Sequence, residues 1–321
     1  MTVPVSIAPM MDWTDRHCRF FLRLLTPNAR LYTEMVTAAA IVHGDVDRLL
    51  RYDSAEHPLA LQLGGSDVNW MTAATSTAAK YSYDEININV GCPSDRVQSG
   101  QFGACLMATP ELVAACFASM SESVDIPITV KTRIGIDDQD SYDFLRCFVD
   151  QLVEVGCTTF VVHARIAILQ GLSPKENRTV PPLNYDRVYR LKEDYPELCV
   201  VLNGGINSLQ QVDEALEQVD GVMIGREAYH NPYFLAELEK HFNPEWSTPT
   251  RHEIVEQMLP YIERELANGE RLSRITRHMT GLFLGQPGAR AWRRFLSENA
   301  YKEEADTGVI IDALKAMPMA A

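Results

Sequence analysis

A chain of 321 residues that is 46% hydrophobic and 22% charged is too apolar to be disordered, and long enough for one large α/β domain or for such a domain with a small appendage. No run reaches the ~18 consecutive apolar residues of a membrane span, and the opening MTVPVSIAPMMDWTD lacks the basic region and apolar core of a signal peptide. A net charge of −14 taken alone disfavours nucleic acid as a partner, since phosphate binding needs positive potential.

In chain order, eight short apolar runs alternate with longer amphipathic stretches: residues 5–10, 30–36, 59–64, 85–91, 127–135, 159–165, 199–205 and 220–226. They are rich in Val and Ile and most end in a polar residue or Gly, the pattern of buried parallel strands. Helix-like segments such as ELVAACFASMSES and YDFLRCFVDQLVEVG lie between them. Eight β/α units within residues 1–242 predict an α/β fold of the (β/α)8 TIM-barrel kind. A doubly wound sheet is the competing architecture, and the absence of GxGxxG after the first strand counts against it. The stretch 243–250, NPEWSTPT, reads as a linker because it holds two prolines and no apolar periodicity. Residues 251–321 then show apolar spacing of three and four throughout, predicting a small all-helical C-terminal domain that includes a helix over 272–285.

The charge average hides a split. Residues 251–321 carry ten basic and ten acidic side chains, so the whole −14 lies in residues 1–250. From Arg271 to Ser297 there are six arginines and no acid. Arg290, Arg293 and Arg294 fall at i, i+3 and i+4 on one helix face, and Arg271, Arg274 and Arg277 are similarly spaced. Such a face suits a phosphate backbone; ion pairs to the acidic barrel are the structural alternative. A further basic cluster, SPKENR at 173–178, follows the sixth strand.

Barrel chemistry gathers where strands end. The polar ends here are Glu34, Gln62, Asn87, Asn89, Lys131, Arg133, His163, Arg165, Asn203 and Arg226, with Pro9 and Met10 after the first strand. Asn203, Gly204 and Gly205 after strand 7 with Gly225 and Arg226 after strand 8 fit a phosphate, because backbone N–H groups can close on the anion and Arg226 adds charge. Gln62, Asn89, Lys131 and His163 together suit the polar edge of a flat heteroaromatic ring such as a flavin. Seven cysteines, an odd number with no CxxC pair, argue against disulfides, an iron–sulfur cluster or a metal site and for a reducing, cytoplasmic setting. Cys92, in a turn between Gly91 and Pro93, is the thiol that such a barrel presents at its mouth; a free thiol is mostly protonated at neutral pH and able to donate, and the alternative role of nucleophile needs an activating base that no sequence neighbour supplies. Cys105 reads as structural, and Cys116, Cys147, Cys157 and Cys199 as small buried hydrophobes.

IAPMMDWTDRHCR, LYTEMVT, LQLGGSD, NVGCPSDRVQSGQFGACLM, VKTRIG, VHAR, GLSPKENR, LNGGI, GVMIGREAYHNPY and PGARAWRRFLSEN resemble the tRNA-dihydrouridine synthases, most closely their DusA-type subfamily. The resemblance implies an FMN-containing barrel followed by a helical tRNA-binding domain, with NADPH as reductant and uridines 20 and 20a of the tRNA D-loop as targets. It implies that Pro9, Met10 and Met11 contact the flavin, that Gln62, Lys131 and His163 hold its ring, and that Asn203, Gly204, Gly205, Gly225 and Arg226 take its phosphate. It makes Cys92 the general acid, delivering a proton to C5 as hydride passes from flavin N5 to C6. Asn89, Arg96, Lys175, Arg178, Arg290 and Arg293 match positions near tRNA or uracil. Thr132 and Ile166 depart from the family's usual Cys and polar residue. No metal, membrane or obligate protein partner is implied. The alternatives are a free-pyrimidine oxidoreductase of the dihydroorotate dehydrogenase kind and a non-catalytic tRNA-binding protein.

Overall fold

A computed structural model describes residues 4–94, 100–315 and 317. Eight parallel strands close into a barrel in the order β1 to β8: Val5–Ile7, Arg30–Thr37, Leu59–Gly64, Glu85–Val90, Ile128–Arg133, Thr159–His163, Cys199–Asn203 and Gly221–Ile224. Each strand falls on one of the eight runs read from the sequence, with β3 matching its run, β2 one residue longer and the others shorter, so the expected TIM barrel is the observed fold.

β3 and β4 are buried along their whole length, and β3, LALQLG, reads as a near-continuous apolar segment for that reason. Within β4 the polar residues Glu85, Asn87 and Asn89 alternate with Ile86, Ile88 and Val90, so one set shares a face. Lys131 on β5 hydrogen-bonds Asn203 on β7, skipping β6, which marks its face as the lumen. Helices between strands begin where a short polar side chain satisfies the free N–H groups of the first turn: Asp67 caps Val68–Ala78, Ser141 caps Tyr142–Glu154 and Ser208 caps Leu209–Leu216.

The chain divides into two compact units. One comprises Pro4–Met11 and Arg30–Gly225 and contains the barrel strands; the other joins Asp12–Ala29 to the segment from Arg226 onward. In the second unit Phe20 of helix Arg16–Leu25 stacks on Tyr261 of helix Arg251–Ala267 with centroids 3.9 Å apart, and His17 Nδ1 lies 2.7 Å from the Tyr261 hydroxyl. Thr250 and Glu253 form a capping box at the start of Arg251–Ala267. The residues 243–250 contain no helix or strand. The helix expected over 272–285 is shorter: it is regular only at Leu272–Thr276 and continues as turns around buried Met279, Leu282 and Phe283. Gly281 lies in these turns where the chain passes close to another segment: a Cβ there would lie 2.6 Å from the His230 carbonyl oxygen. Helix Ala289–Asn299 follows Gly288, whose φ of 85° is left-handed. It buries Trp292 completely against Phe283, with the indole N–H donating to the Met279 carbonyl at 3.1 Å.

Candidate active site

Strands β3, β4 and β5 are joined by a chain of buried side chains that runs from Glu85 at the start of β4 to Asn89 near its C-terminal end. Gln62 Nε2 donates to Asn87 Oδ1 at 2.8 Å, and Asn89 Nδ2 donates to Gln62 Oε1 at 2.7 Å. Asn87 Nδ2 donates to Thr129 Oγ1 at 2.8 Å, and Thr129 donates to Glu85 at 2.6 Å. Glu85, 1% exposed, is ion-paired with Arg30 and accepts from the Tyr32 hydroxyl. Burying this many polar atoms is tolerable only because each finds a partner.

The chain ends at the thiol turn. Asn89 Oδ1 accepts from the backbone N–H of both Gly91 and Cys92, each at 3.1 Å, closing an Asx-type turn. Cys92 is half-buried, with Sγ 3.5 Å from Ser94 Oγ. Its carbonyl accepts from the Ala104 N–H at 2.9 Å. Arg133, at the end of β5, locks the same turn from outside: Nε donates to the Gly91 carbonyl at 2.8 Å, and Nη1 donates to the carbonyls of Ile166 and Asn177 at 2.9 and 3.0 Å. Arg133 is 3% exposed, and that desolvation lowers its pKa to about 10, with Arg178 and Arg165 adding repulsion.

Lys131 supplies the cation. Nζ donates to Asn203 Oδ1 at 3.0 Å, and Asn203 Nδ2 donates to the Met223 carbonyl at 2.8 Å. Desolvation, reinforced by Arg133, pushes the Lys131 pKa down to about 7, while Cys92 acts in the opposite sense. His163 ends β6 in register with Arg133 on one side and Asn203 on the other. Gly204 and Gly205 have φ of 122° and 75°, and a Cβ on Gly204 would stand 2.7 Å from the His163 ring. Only glycine lets the backbone pass so close to the imidazole. The Asn203 side chain thus bridges Lys131 and the Met223 carbonyl directly before the 204–205 backbone. A Cβ on Gly225 would stand in ordinary contact with Ala8 Cβ, 3.9 Å away, and helix Arg226–His230 begins at the next residue. After β1, Pro9 is half-buried, Met10 buried and Met11 55% exposed.

The loop after β6 places Lys175 and Arg178 at the ends of a single helical turn, Lys175 exposed and Arg178 half-buried. Between them Asn177, fully buried, pins the loop by accepting from the Ile168 N–H at 2.8 Å and donating to its carbonyl at 2.8 Å. Arg96 lies outside the described residues. Sequence reading singled out Gln62, Asn89, Lys131, His163 and Cys92 but gave no role to Glu85, Thr129 or Asn177, whose partners lie on other strands and loops.

In the helical unit Arg290 and Arg293 are exposed on helix Ala289–Asn299 and form no ion pair among the described residues. The stripe is less uniform than its sequence suggests. Arg277 pairs with Asp15 at 2.7 Å, Arg274 with Glu270 at 3.6 Å and Arg294 with Glu298 at 3.5 Å. These acids lie outside the acid-free stretch yet fold against it. Cys147 also differs from expectation: it is exposed on helix Tyr142–Glu154, while Cys105 and Cys199 are half-buried.

A parallel barrel carrying a cation, amides, an imidazole and a thiol on its strand ends defines a TIM-barrel enzyme. The profile of the family described as dihydrouridine synthase (Dus) matches residues 6–317, and the chain belongs to that family. A tRNA-dihydrouridine(20/20a) synthase of Shewanella oneidensis is 60% identical over 306 residues, 95% of this chain and 91% of its own. Enzymes of the same name from Vibrio vulnificus and Escherichia coli K12 are each 57% identical, covering 98% and 97% of this chain and 97% and 90% of theirs. Among solved structures, the old yellow enzyme homologue of Zymomonas mobilis superposes with a TM-score of 0.55 at 12% identity, over 78% of this chain and 91% of that one. A 2-naphthoyl-CoA reductase superposes with a TM-score of 0.58 at 8% identity, over 75% and 50%. At such identities the likeness is one of fold.

Proposed function

We propose that this protein reduces uridine to 5,6-dihydrouridine at positions 20 and 20a of the tRNA D-loop, with FMN as its cofactor and NADPH as reductant. Support comes from the family, from near full-length relatives named for that activity, and above all from one observation: a half-buried thiol held in a fixed turn beside a barrel mouth that carries Lys131, His163 and Gln62.

The donor set fits FMN. Lys131 supplies positive charge for the pyrimidine edge of the ring, with Gln62 and His163 on other strands of the same barrel, and Pro9, Met10 and Met11 follow the end of β1. Backbone N–H groups of Gly204 and Gly205, with Gly225 and Arg226 after β8, serve the phosphate. When bound and reduced, FMN supplies the hydride for C6 of uracil. Cys92 supplies the proton for C5, which is why its thiol is needed in protonated form. Asn89 holds the Cys92 turn and, with Arg178, faces the base. Lys175, Arg96, Arg290 and Arg293 serve tRNA phosphates, and the base must leave the tRNA stack to reach a barrel mouth. Among the described residues no group of side chains could hold a metal ion and no helix is long and apolar enough to cross a membrane. Seven unpaired cysteines fit a reducing compartment, the cytoplasm.

The test is to map dihydrouridine in tRNA from cells lacking this protein. Loss confined to positions 20 and 20a, restored by the wild-type gene, is the expected result. Unchanged dihydrouridine, with a yellow purified protein that is reoxidised by free pyrimidine and not by tRNA, would overturn it.

A further inference from the structure

The polar chain from Glu85 to Cys92 has a direction. Glu85 is paired with Arg30, and an ionised carboxylate can only accept. Thr129 therefore spends its single proton on Glu85 and has only lone pairs left for Asn87. That fixes the Asn87 amide with Nδ2 toward Thr129 and Oδ1 toward Gln62. Gln62 must then present Nε2 to Asn87 and Oε1 to Asn89. Asn89 in turn must present Nδ2 to Gln62, leaving Oδ1 for the N–H groups of Gly91 and Cys92. An amide has two orientations of similar shape and opposite polarity. Here each choice is dictated by its neighbour, and the first by a carboxylate deep in the strand array. Glu85, Asn87 and Asn89 sit at alternate positions of β4, and Thr129 pairs with Asn87 in register on β5, so the sheet period delivers the ordering.

We propose that Glu85, Thr129 and Asn87 are positioning residues for Cys92: they set the Asn89 amide in the one orientation that closes the Cys92 turn. With the chain cut, an Asn89 amide that turned over would set a donor against two donors, and the turn would open. The proposal rests on the reading of Cys92 as proton donor for its effect on catalysis, but not for its effect on the thiol itself.

The test compares Thr129→Val, which keeps shape and removes the hydroxyl, with Thr129→Ser, which restores it, in the full-length holoenzyme. Two quantities are read: the rate of iodoacetamide alkylation at Cys92, resolved by peptide mass spectrometry with exposed Cys147 as internal control, and single-turnover dihydrouridine formation. Thr129→Val should speed Cys92 alkylation roughly tenfold, leave Cys147 unchanged and slow turnover by about ten- to a hundredfold with tRNA affinity unaltered. Thr129→Ser should behave as wild type. Faster alkylation with unchanged turnover would sustain the positioning role and remove Cys92 from the chemistry. Cys92 alkylation that is the same in both variants and wild type would overturn the proposal, whatever happens to turnover. Should Thr129→Val not fold, Asn87→Leu cuts the same chain one step nearer the thiol and is read in the same way.

Discussion

Lys131 is the side chain on which the electrostatics of the site turn. Burial with Arg133 nearby brings its pKa down to about 7, whereas an unfolded lysine titrates near ~10.4. Between those values the unfolded chain holds more protons than the folded one, so stability rises with pH across that window and is flat below it. Urea unfolding at pH 7 and pH 9 should show wild type gaining more stability over this interval than Lys131→Met; equal gains would mean the charge is not strained. The sequence placed Lys131 at a strand end and Cys92 between Gly91 and Pro93, because those features are local. It did not disclose that the Asn203 amide is spent on Lys131, since that bond joins residues 72 positions apart. Glu85 was equally hidden. A glutamate at the start of a run reads as solvent-facing, and only the closed barrel turns it inward against Arg30, Tyr32 and Thr129.

At the scale of elements, two connections carry the argument. Arg133 ties β5 to the Cys92 turn and to the loop bearing Lys175 and Arg178, through three carbonyls. Arg133→Met should cost about 2 kcal/mol or more, because buried carbonyls lose their donor, and should expose residues 166–178 to limited proteolysis; an unchanged digestion pattern would show that the loop is held without Arg133. Trp292 plays the corresponding part in the helical unit, where it is fully buried beneath Phe283. Trp292→Ala should cost about 3–5 kcal/mol in thermal denaturation, and a loss under 1 kcal/mol would contradict the packing described. Strands were legible in the sequence because parallel strands buried on both faces carry little but apolar side chains. The short helix Leu272–Thr276 was not, since apolar spacing of three and four also describes turns wrapped on a core, and only the close approach at Gly281 distinguishes them.

Across the whole molecule, charge is divided. The surplus of acid lies in residues 1–250, while residues 251–321 are neutral overall and present Arg290 and Arg293 exposed without acidic partners among the described residues. Three of the other arginines are paired to Asp15, Glu270 and Glu298, so they are poorer phosphate ligands than an acid-free stretch promised. Arg290→Ala with Arg293→Ala should weaken tRNA binding and lower the slope of log affinity against log salt by roughly one to two, whereas Arg277→Ala should act mainly on stability. An unchanged salt slope in the double variant would make the exposed pair incidental.

Proton delivery to the base rests on Cys92. Single-turnover reduction of tRNA by the pre-reduced holoenzyme under anaerobic conditions, comparing wild type with Cys92→Ala and with tRNA affinity measured in parallel, tests it directly. Loss of the proton donor should slow dihydrouridine formation about 10²- to 10⁴-fold while tRNA binding stays within about twofold. Dihydrouridine formed at the wild-type rate by Cys92→Ala would contradict it.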